Sequence, residues 1–134
     1  MTLQYSVAVN NAKLDQIEST IGTAPLLRVY TGSIPANPAA AATGTLLATL
    51  TLPSDWMAAA ASASKAKAGT WSGTASASGT AGYCRIYDST GTTCHIQGTA
   101  GIGSGDYAFD NTSLATSQSV TVNTFTISVA AANT

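Results

Sequence analysis

The strongest constraint on the fold of this chain is an alternation of residue types at every second position. Residues 45–52 place Leu46, Ala48, Leu50 and Leu52 on one side and mainly threonines on the other. Because successive side chains of a β-strand point to opposite faces of the sheet, a period of two predicts a strand here. The same reasoning predicts further strands at residues 26–31, 70–78, 82–88, 93–99, 107–109 and 120–129, the last with a bulge near Asn123.

Spacing of the predicted strands indicates the architecture. There are about seven or eight of them, with turn residues roughly every ten positions, which is typical of a β-sandwich or jelly roll. Residues 34–42 contain two prolines followed by four alanines, and they predict a surface loop because proline cannot donate to a strand ladder. Pro53 ends a strand and predicts a short helical turn over residues 56–64.

One stretch has helical periodicity instead. In residues 11–22 apolar side chains recur at intervals of three and four, at Leu14, Ile17 and Ile21. Asn11 is a suitable N-cap, and Gly22 is a suitable C-terminal stop. Residues 1–9 before the helix alternate like a strand, so we expect an N-terminal arm or strand over 1–9 and a single antiparallel β-sandwich domain over 10–134.

Charge is scarce in this chain. Only 8% of residues are charged and the formal net charge is −1, whereas about a quarter of residues are charged in a typical protein. Weak mutual repulsion favours self-association or docking on another protein, although neutral polar side chains are an alternative source of solubility. The basic residues are scattered, which excludes a nucleic-acid footprint; they are Lys13, Arg28, Lys65, Lys67 and Arg85. No apolar run approaches the ~20 residues that span a membrane.

Two cysteines, Cys84 and Cys94, fall in a predicted hairpin. The first residues lack the features of a secretory signal, so we expect synthesis in a reducing cytoplasm and free thiols. A register with Cys84 opposite Ile96 and Cys94 opposite Ile86 predicts that both thiols are buried. A cross-strand disulfide remains the alternative.

Candidate catalytic residues are few. His95 is the only histidine, and its place within a predicted strand favours an ordinary half-exposed sheet residue. Asp106 and Asp110, helped by glycine carbonyls of residues 103–105, are an alternative cation site, but turn capping explains them better. The sequence therefore predicts no catalytic, cofactor or metal site and a non-enzymatic protein.

Exposed apolar residues outside the predicted sheet are candidates for contact with a partner. Leu3, Tyr5 and Val7 alternate along the predicted arm, and Trp56 follows a turn just outside a strand. An arm of this kind can add a strand to a neighbouring sheet, and an exposed tryptophan can anchor an interface.

Four segments carry a resemblance to a known group of proteins. They are LRVYTG at 27–32 with Pro35, GTLLA at 44–48, GTAGYCRIYD at 79–88 and SVTVNTFTI at 119–127. With them the chain resembles small virion proteins of tailed phages and prophages, and it is similar in size and strand content to jelly-roll capsid cement, or decoration, proteins.

The resemblance implies a structural protein on the capsid surface of a virion, made in the host cytoplasm. Its implied partners are the major capsid protein and further copies of itself, as a dimer or trimer, and no cofactor is implied. A tail or fibre component with a carbohydrate-binding β-sandwich is the main alternative. A small hydrolase is an outlying third class.

Overall fold

The computed structural model describes residues 3–128, which form one α-helix and ten β-strands. The helix is α1 (Val7–Ile21). The strands are β1 (Leu26–Thr31), β2 (Leu46–Thr51), β3 (Ser64–Ala66), β4 (Trp71–Thr74), β5 (Gly79–Tyr87), β6 (Cys94–Ile102), β7 (Tyr107–Phe109), β8 (Ser113–Leu114), β9 (Ser119–Thr124) and β10 (Thr126–Ser128). The prediction of a mainly β chain with one N-terminal helix is confirmed.

Most strands belong to one sheet that nearly closes on itself. Its order is β2-β1-β5-β6-β7-β9-β4, and β8 pairs with β5 outside this path. The two ends of the path meet where Ala48 and Ala75 form an isolated bridge, and the N–H of Ser76 donates to the carbonyl of Leu47 at 2.7 Å. Strands β3 and β10 form a separate antiparallel pair.

Alternation explains which side chains fill the interior. In the β1–β5 ladder, Leu27 lies opposite Ile86 and Val29 lies opposite Cys84, and all four side chains are fully buried. The interior continues into an aromatic group in which the ring of Trp71 lies 6.0 Å from Trp56 and 5.4 Å from Phe125. Burial of these apolar surfaces, at roughly 25 cal/mol per Å², is the main driving force for the fold.

Residues 34–44 form a strap over the outer face of β5. The hydroxyl of Tyr83 donates to the carbonyl of Thr43 at 2.6 Å and accepts from its N–H at 2.9 Å. The side-chain amide of Gln97 donates to the carbonyl of Pro35 at 2.7 Å. The strap therefore buries a sheet face that would otherwise be exposed, so the loop predicted at residues 34–42 also has a covering role.

Helix α1 begins four residues before the predicted start at residue 11. Ser6 is its N-cap, because the Ser6 hydroxyl accepts from the N–H of Val9 at 3.2 Å. The predicted arm over 1–9 is therefore wrong for residues 7–9, which are helical. Within residues 3–128 there is no helix with the length and hydropathy needed to cross a membrane.

The predicted helical turn over residues 56–64 is also wrong. The segment pairs with the chain that follows it: the N–H of Ala58 donates to Ala66 at 2.8 Å. It reverses direction at Ser62 and Ala63, which adopt φ angles of 51° and 58°. An alanine run has good helix propensity but offers no apolar stripe to pack, so tertiary pairing determines its conformation.

The final predicted strand is interrupted. β9 ends at Thr124 and β10 begins at Thr126, and Phe125 between them points into the core with 5% of its surface exposed. The bulge predicted near Asn123 is confirmed: Phe109 lies opposite Val122 and Ala108 lies opposite Thr124, which leaves Asn123 as the extra residue. The chain changes sheet after this bulge, at Phe125. The end of the predicted strand at residue 129 lies outside the described residues.

Candidate interaction surface

Three exposed apolar side chains lie close to one another in the sequence, two just before α1 and one in its first turn. Leu3 is 68% exposed, Tyr5 is 38% exposed and Val9 is 44% exposed. We call these three residues the N-terminal patch. Val7, predicted with them, is half-buried in the first turn of the helix. The ammonium of Lys13 lies 4.4 Å from the centre of the Tyr5 ring, which restrains that ring on the helix surface.

Trp56 does not belong to this surface. Its side chain is fully buried, and its indole N–H donates to the carbonyl of Gly22 at 2.9 Å. The expectation that Trp56 is exposed is therefore wrong. Burial of a tryptophan is most favourable where its ring packs in the core and its indole N–H finds a hydrogen-bond acceptor. The carbonyl of Gly22, at the end of α1, is that acceptor.

A buried lysine fastens α1 to the body of the protein. The ammonium of Lys65 lies 2.7 Å from a carboxylate oxygen of Asp15 and 2.8 Å from one of Glu18. It also donates to the carbonyl of Ala58 at 2.8 Å. Its three donors are thereby used, and its side chain is 1% exposed. The sequence analysis missed this cluster; the available signal was Asp15 and Glu18 one helical turn apart.

Electrostatics of the cluster follow from this geometry. The hydrogen bond from Lys65 and that from the N–H of Ala60 lower the pKa of Asp15 below its ordinary value of 3.8. Burial alone would lower the pKa of Lys65, but the hydrogen bonds to Asp15 and Glu18 outweigh burial and raise this pKa above its ordinary value. Asp15 and Lys65 are therefore both charged at neutral pH, and their ion pair fixes the helix that begins at the N-terminal patch.

The glycine-rich segment after β6 is a tight reversal. β6 and β7 pair in parallel, with Ala100 opposite Tyr107, so the chain must turn back within a few residues. Gly103 and Gly105 adopt φ angles of 63° and 80° there, a region that favours glycine. Asp106 accepts from the N–H of Thr99 at 2.9 Å and holds the reversal closed.

The two acidic residues considered for cation binding, Asp106 and Asp110, each form hydrogen bonds with a different residue. Asp110 accepts a hydrogen bond from the side-chain amide of Asn123, whereas Asp106 is bound to Thr99. Within residues 3–128 no three His, Cys, Asp or Glu side chains are grouped as a metal site requires.

His95 is half-buried on β6. It lines a groove of about 470 Å³ between β6 and β10, together with Gln97, Asp106 and Ile127. Tyr107 and Phe125 lie at its floor, but they are only 0% and 5% exposed.

Both cysteines are free thiols. The predicted hairpin register is wrong, because Cys84 lies opposite Gly98, Ile86 lies opposite Ile96, and a bulge then places Cys94 opposite Tyr87. Cys84 is fully buried and Cys94 is half-buried. Burial raises the pKa of the Cys84 thiol. Burial also raises the pKa of Cys94, and the positive charge of Arg85 offsets part of that increase.

Comparison of the chain with protein-family models, with curated proteins and with solved structures gave no match.

Proposed function

We propose that this chain is a non-enzymatic structural protein of a phage virion, a capsid cement or decoration protein that binds the major capsid protein and further copies of itself. The single observation that carries the proposal is the N-terminal patch. Leu3 and Tyr5, which precede α1, and Val9, in its first turn, expose apolar surface. Lys65 fixes this helix to the domain. Apolar surface on a rigid element is what a docking site needs.

Low charge supports the same role. A protein that reinforces a shell binds many equivalent sites, so its copies sit close together and gain from avidity. With 8% charged residues and a net charge of −1, neighbouring copies repel one another little. The role needs no nucleic-acid partner, membrane or cofactor.

The jelly-roll architecture implied by the resemblance belongs to this proposal. A largely antiparallel sheet that nearly closes is compatible with it, and the parallel β6–β7 pair is a departure from it. The location on the capsid surface and synthesis in a host cytoplasm are likewise parts of the proposal.

Substitution of the patch tests the proposal. A double variant with Leu3→Ser and Tyr5→Ser leaves Ser6 in place as the helix cap, so α1 should still fold. We expect it to sediment as a monomer where the unmodified protein forms a dimer or trimer. We also expect it to fail to co-sediment with capsid shells assembled from the major capsid protein of the phage that encodes the chain.

Ile102→Ser is the matched control, because Ile102 is 63% exposed but is the last residue of β6 and lies outside the N-terminal patch. This variant should retain both self-association and shell binding. Unchanged sedimentation and full shell occupancy for the patch variant would refute the proposed interface.

A tail or fibre component that binds carbohydrate is the second candidate. The groove between β6 and β10 offers His95, Gln97 and Asp106 as polar groups. Sugar recognition also uses exposed aromatic faces, and the rings at this groove, Tyr107 and Phe125, are almost fully buried. Binding to a glycan array that is lost in a Gln97→Ala variant would favour this candidate over the capsid role.

A further inference from the structure

A second surface feature lies under the strap, away from the N-terminal patch. It is an open cavity of about 760 Å³ between strap residues 37–42 and the end of the β5–β6 hairpin. Alanines and Pro38 form one wall. The other wall is polar and comprises Arg85, Tyr87, Thr92, Thr93 and Cys94.

Arg85 is the only charged side chain of this cavity lining, and it is buried, with 2% of its surface exposed. One terminal nitrogen, Nη2, donates to the carbonyls of Asn37 at 3.3 Å and Ala40 at 2.8 Å. Nε donates to the side-chain oxygen of Gln97 at 3.2 Å. The remaining nitrogen, Nη1, has only a 3.5 Å contact with the hydroxyl of Tyr87 within residues 3–128.

The donor count leaves part of the guanidinium unused. Arginine has five N–H groups in a planar fork. Two of the four found partners are backbone carbonyls and one is a side-chain amide, so at least one N–H of Nη1 lacks an acceptor among the described residues.

No carboxylate in the described part of the chain pairs with the charge of Arg85. Within residues 3–128 the ion pairs formed by Asp and Glu side chains both involve Lys65. An arginine stays protonated even when buried, and a buried charge is costly unless an opposite charge meets it. An anion that enters the cavity would provide that charge and the missing acceptor.

We propose that this cavity is a binding site for a carboxylate on a short aliphatic chain, with Arg85 as its anchor. The carboxylate accepts from Nη1 of Arg85, with the hydroxyl of Tyr87 as a further donor on the same wall. The aliphatic part lies against the methyl groups of residues 39–42. Inorganic phosphate fits less well, since it would leave that apolar wall uncovered and would meet one cation where phosphate sites combine several donors. This site is independent of the proposed capsid role.

Ligand titration of the purified protein tests the site. Butyrate is the probe, butyramide is its uncharged equivalent, and inorganic phosphate is the second anion, all at constant ionic strength. We expect butyrate to raise the melting temperature in a saturable way, because it binds the folded state. It should also slow alkylation of Cys94 by iodoacetamide, since Cys94 lines the cavity. Butyramide should do neither. An equal effect of butyramide or phosphate would overturn the proposal.

Two variants locate the effect. Arg85→Gln removes the charge and should abolish the response to butyrate. Thr93→Glu places a carboxylate on the exposed rim of the cavity, and it should raise the melting temperature and remove the butyrate response, whereas Thr93→Gln should retain that response. If Arg85→Gln does not fold, the two Thr93 variants decide the question. A normal butyrate response in Thr93→Glu would overturn the proposal.

Discussion

At the scale of single residues, two buried cations are satisfied in different ways. Lys65 and Arg85 are each 2% exposed. Lys65 meets two carboxylates and a carbonyl, so its charge and its donors are both matched. Among residues 3–128, Arg85 meets carbonyls, an amide and a phenol but no carboxylate, so its donors are mostly matched there and its charge is not. This difference explains why we assign a structural role to Lys65 and a binding role to Arg85.

Replacement of Lys65 by methionine should destabilise the protein. The variant removes the ion pairs that join α1 to β3 and leaves Asp15 and Glu18 without their shared cation. We expect the free energy of unfolding in urea to fall by about 1–3 kcal/mol. Lys13→Met is the control, because Lys13 is exposed, and it should change stability by less than about 0.5 kcal/mol. Equal effects of the two variants would contradict the structural role of Lys65.

At the scale of elements, β5 is the central strand of the fold. It pairs with β1, β6 and β8, and the strap covers its outer face. Gly82 permits the close approach of Gly32, the residue that follows β1: a Cβ atom at position 82 would lie 2.0 Å from the carbonyl oxygen of Gly32. The contact is with backbone, so a side-chain rotation cannot relieve it.

Gly82→Ala should therefore destabilise the protein by about 2–3 kcal/mol, because the chain at the end of β1 must move away from β5. Gly103→Ala is the comparison. A Cβ atom there meets nothing within 4 Å and the φ angle is 63°, so the expected cost is limited to about 1–2 kcal/mol of backbone strain. Urea denaturation of both variants measures the difference. A smaller loss for Gly82→Ala than for Gly103→Ala would show that β1 does not approach β5 as described.

Strands and the helix differ in how far the sequence could predict them. Period-two alternation located β1 and β2 to within a residue or two, because their core faces need apolar side chains at every second position. Local pattern failed at residues 56–64, where burial of Trp56 outweighs the helix propensity of the alanines. It also could not show the bulge that sets the register of Cys94, because a bulge depends on the partner strand.

The candidate sites were less predictable than the fold. Leu3 and Tyr5 were identified from their alternation, but exposure depends on what covers a residue in three dimensions. Arg85 gave no signal of its own, since it is one of several scattered basic residues in the sequence. Only the strap, which is distant in sequence, turns it into a buried cation beside a cavity.

At the scale of the whole molecule, the few titrating groups are expected to give a broad plateau of stability against pH. Net charge is small, so general repulsion contributes little, and individual groups with shifted pKa values set the limits. Asp15 and Asp88 have pKa values below the ordinary 3.8, because hydrogen bonds from Lys65 to Asp15 and from the N–H of Thr92 to Asp88 favour their charged forms. At high pH, burial first, and then its contact with Tyr87, raises the pKa of Tyr30 to about 12.

The direction of each effect follows from linkage between protonation and folding. A carboxylate with a lowered folded-state pKa stabilises the protein above the ordinary value and loses this contribution as pH falls through the folded pKa. A raised pKa at Tyr30 and Lys65 gives stability that is complete below the unfolded values and is lost as pH rises towards the folded ones. We therefore expect melting temperatures between about pH 3 and pH 12 to be flat in the middle and to fall at both ends.

Asp15→Asn should start from a lower plateau of melting temperature and lose less on acidification, whereas Asp55→Asn, at an exposed position, should reproduce the acid limb of the unmodified protein. A stability maximum confined to the pI of about 5.5, or identical acid limbs for both variants, would mean that repulsion over the whole surface, and not the Lys65 cluster, controls the response to pH.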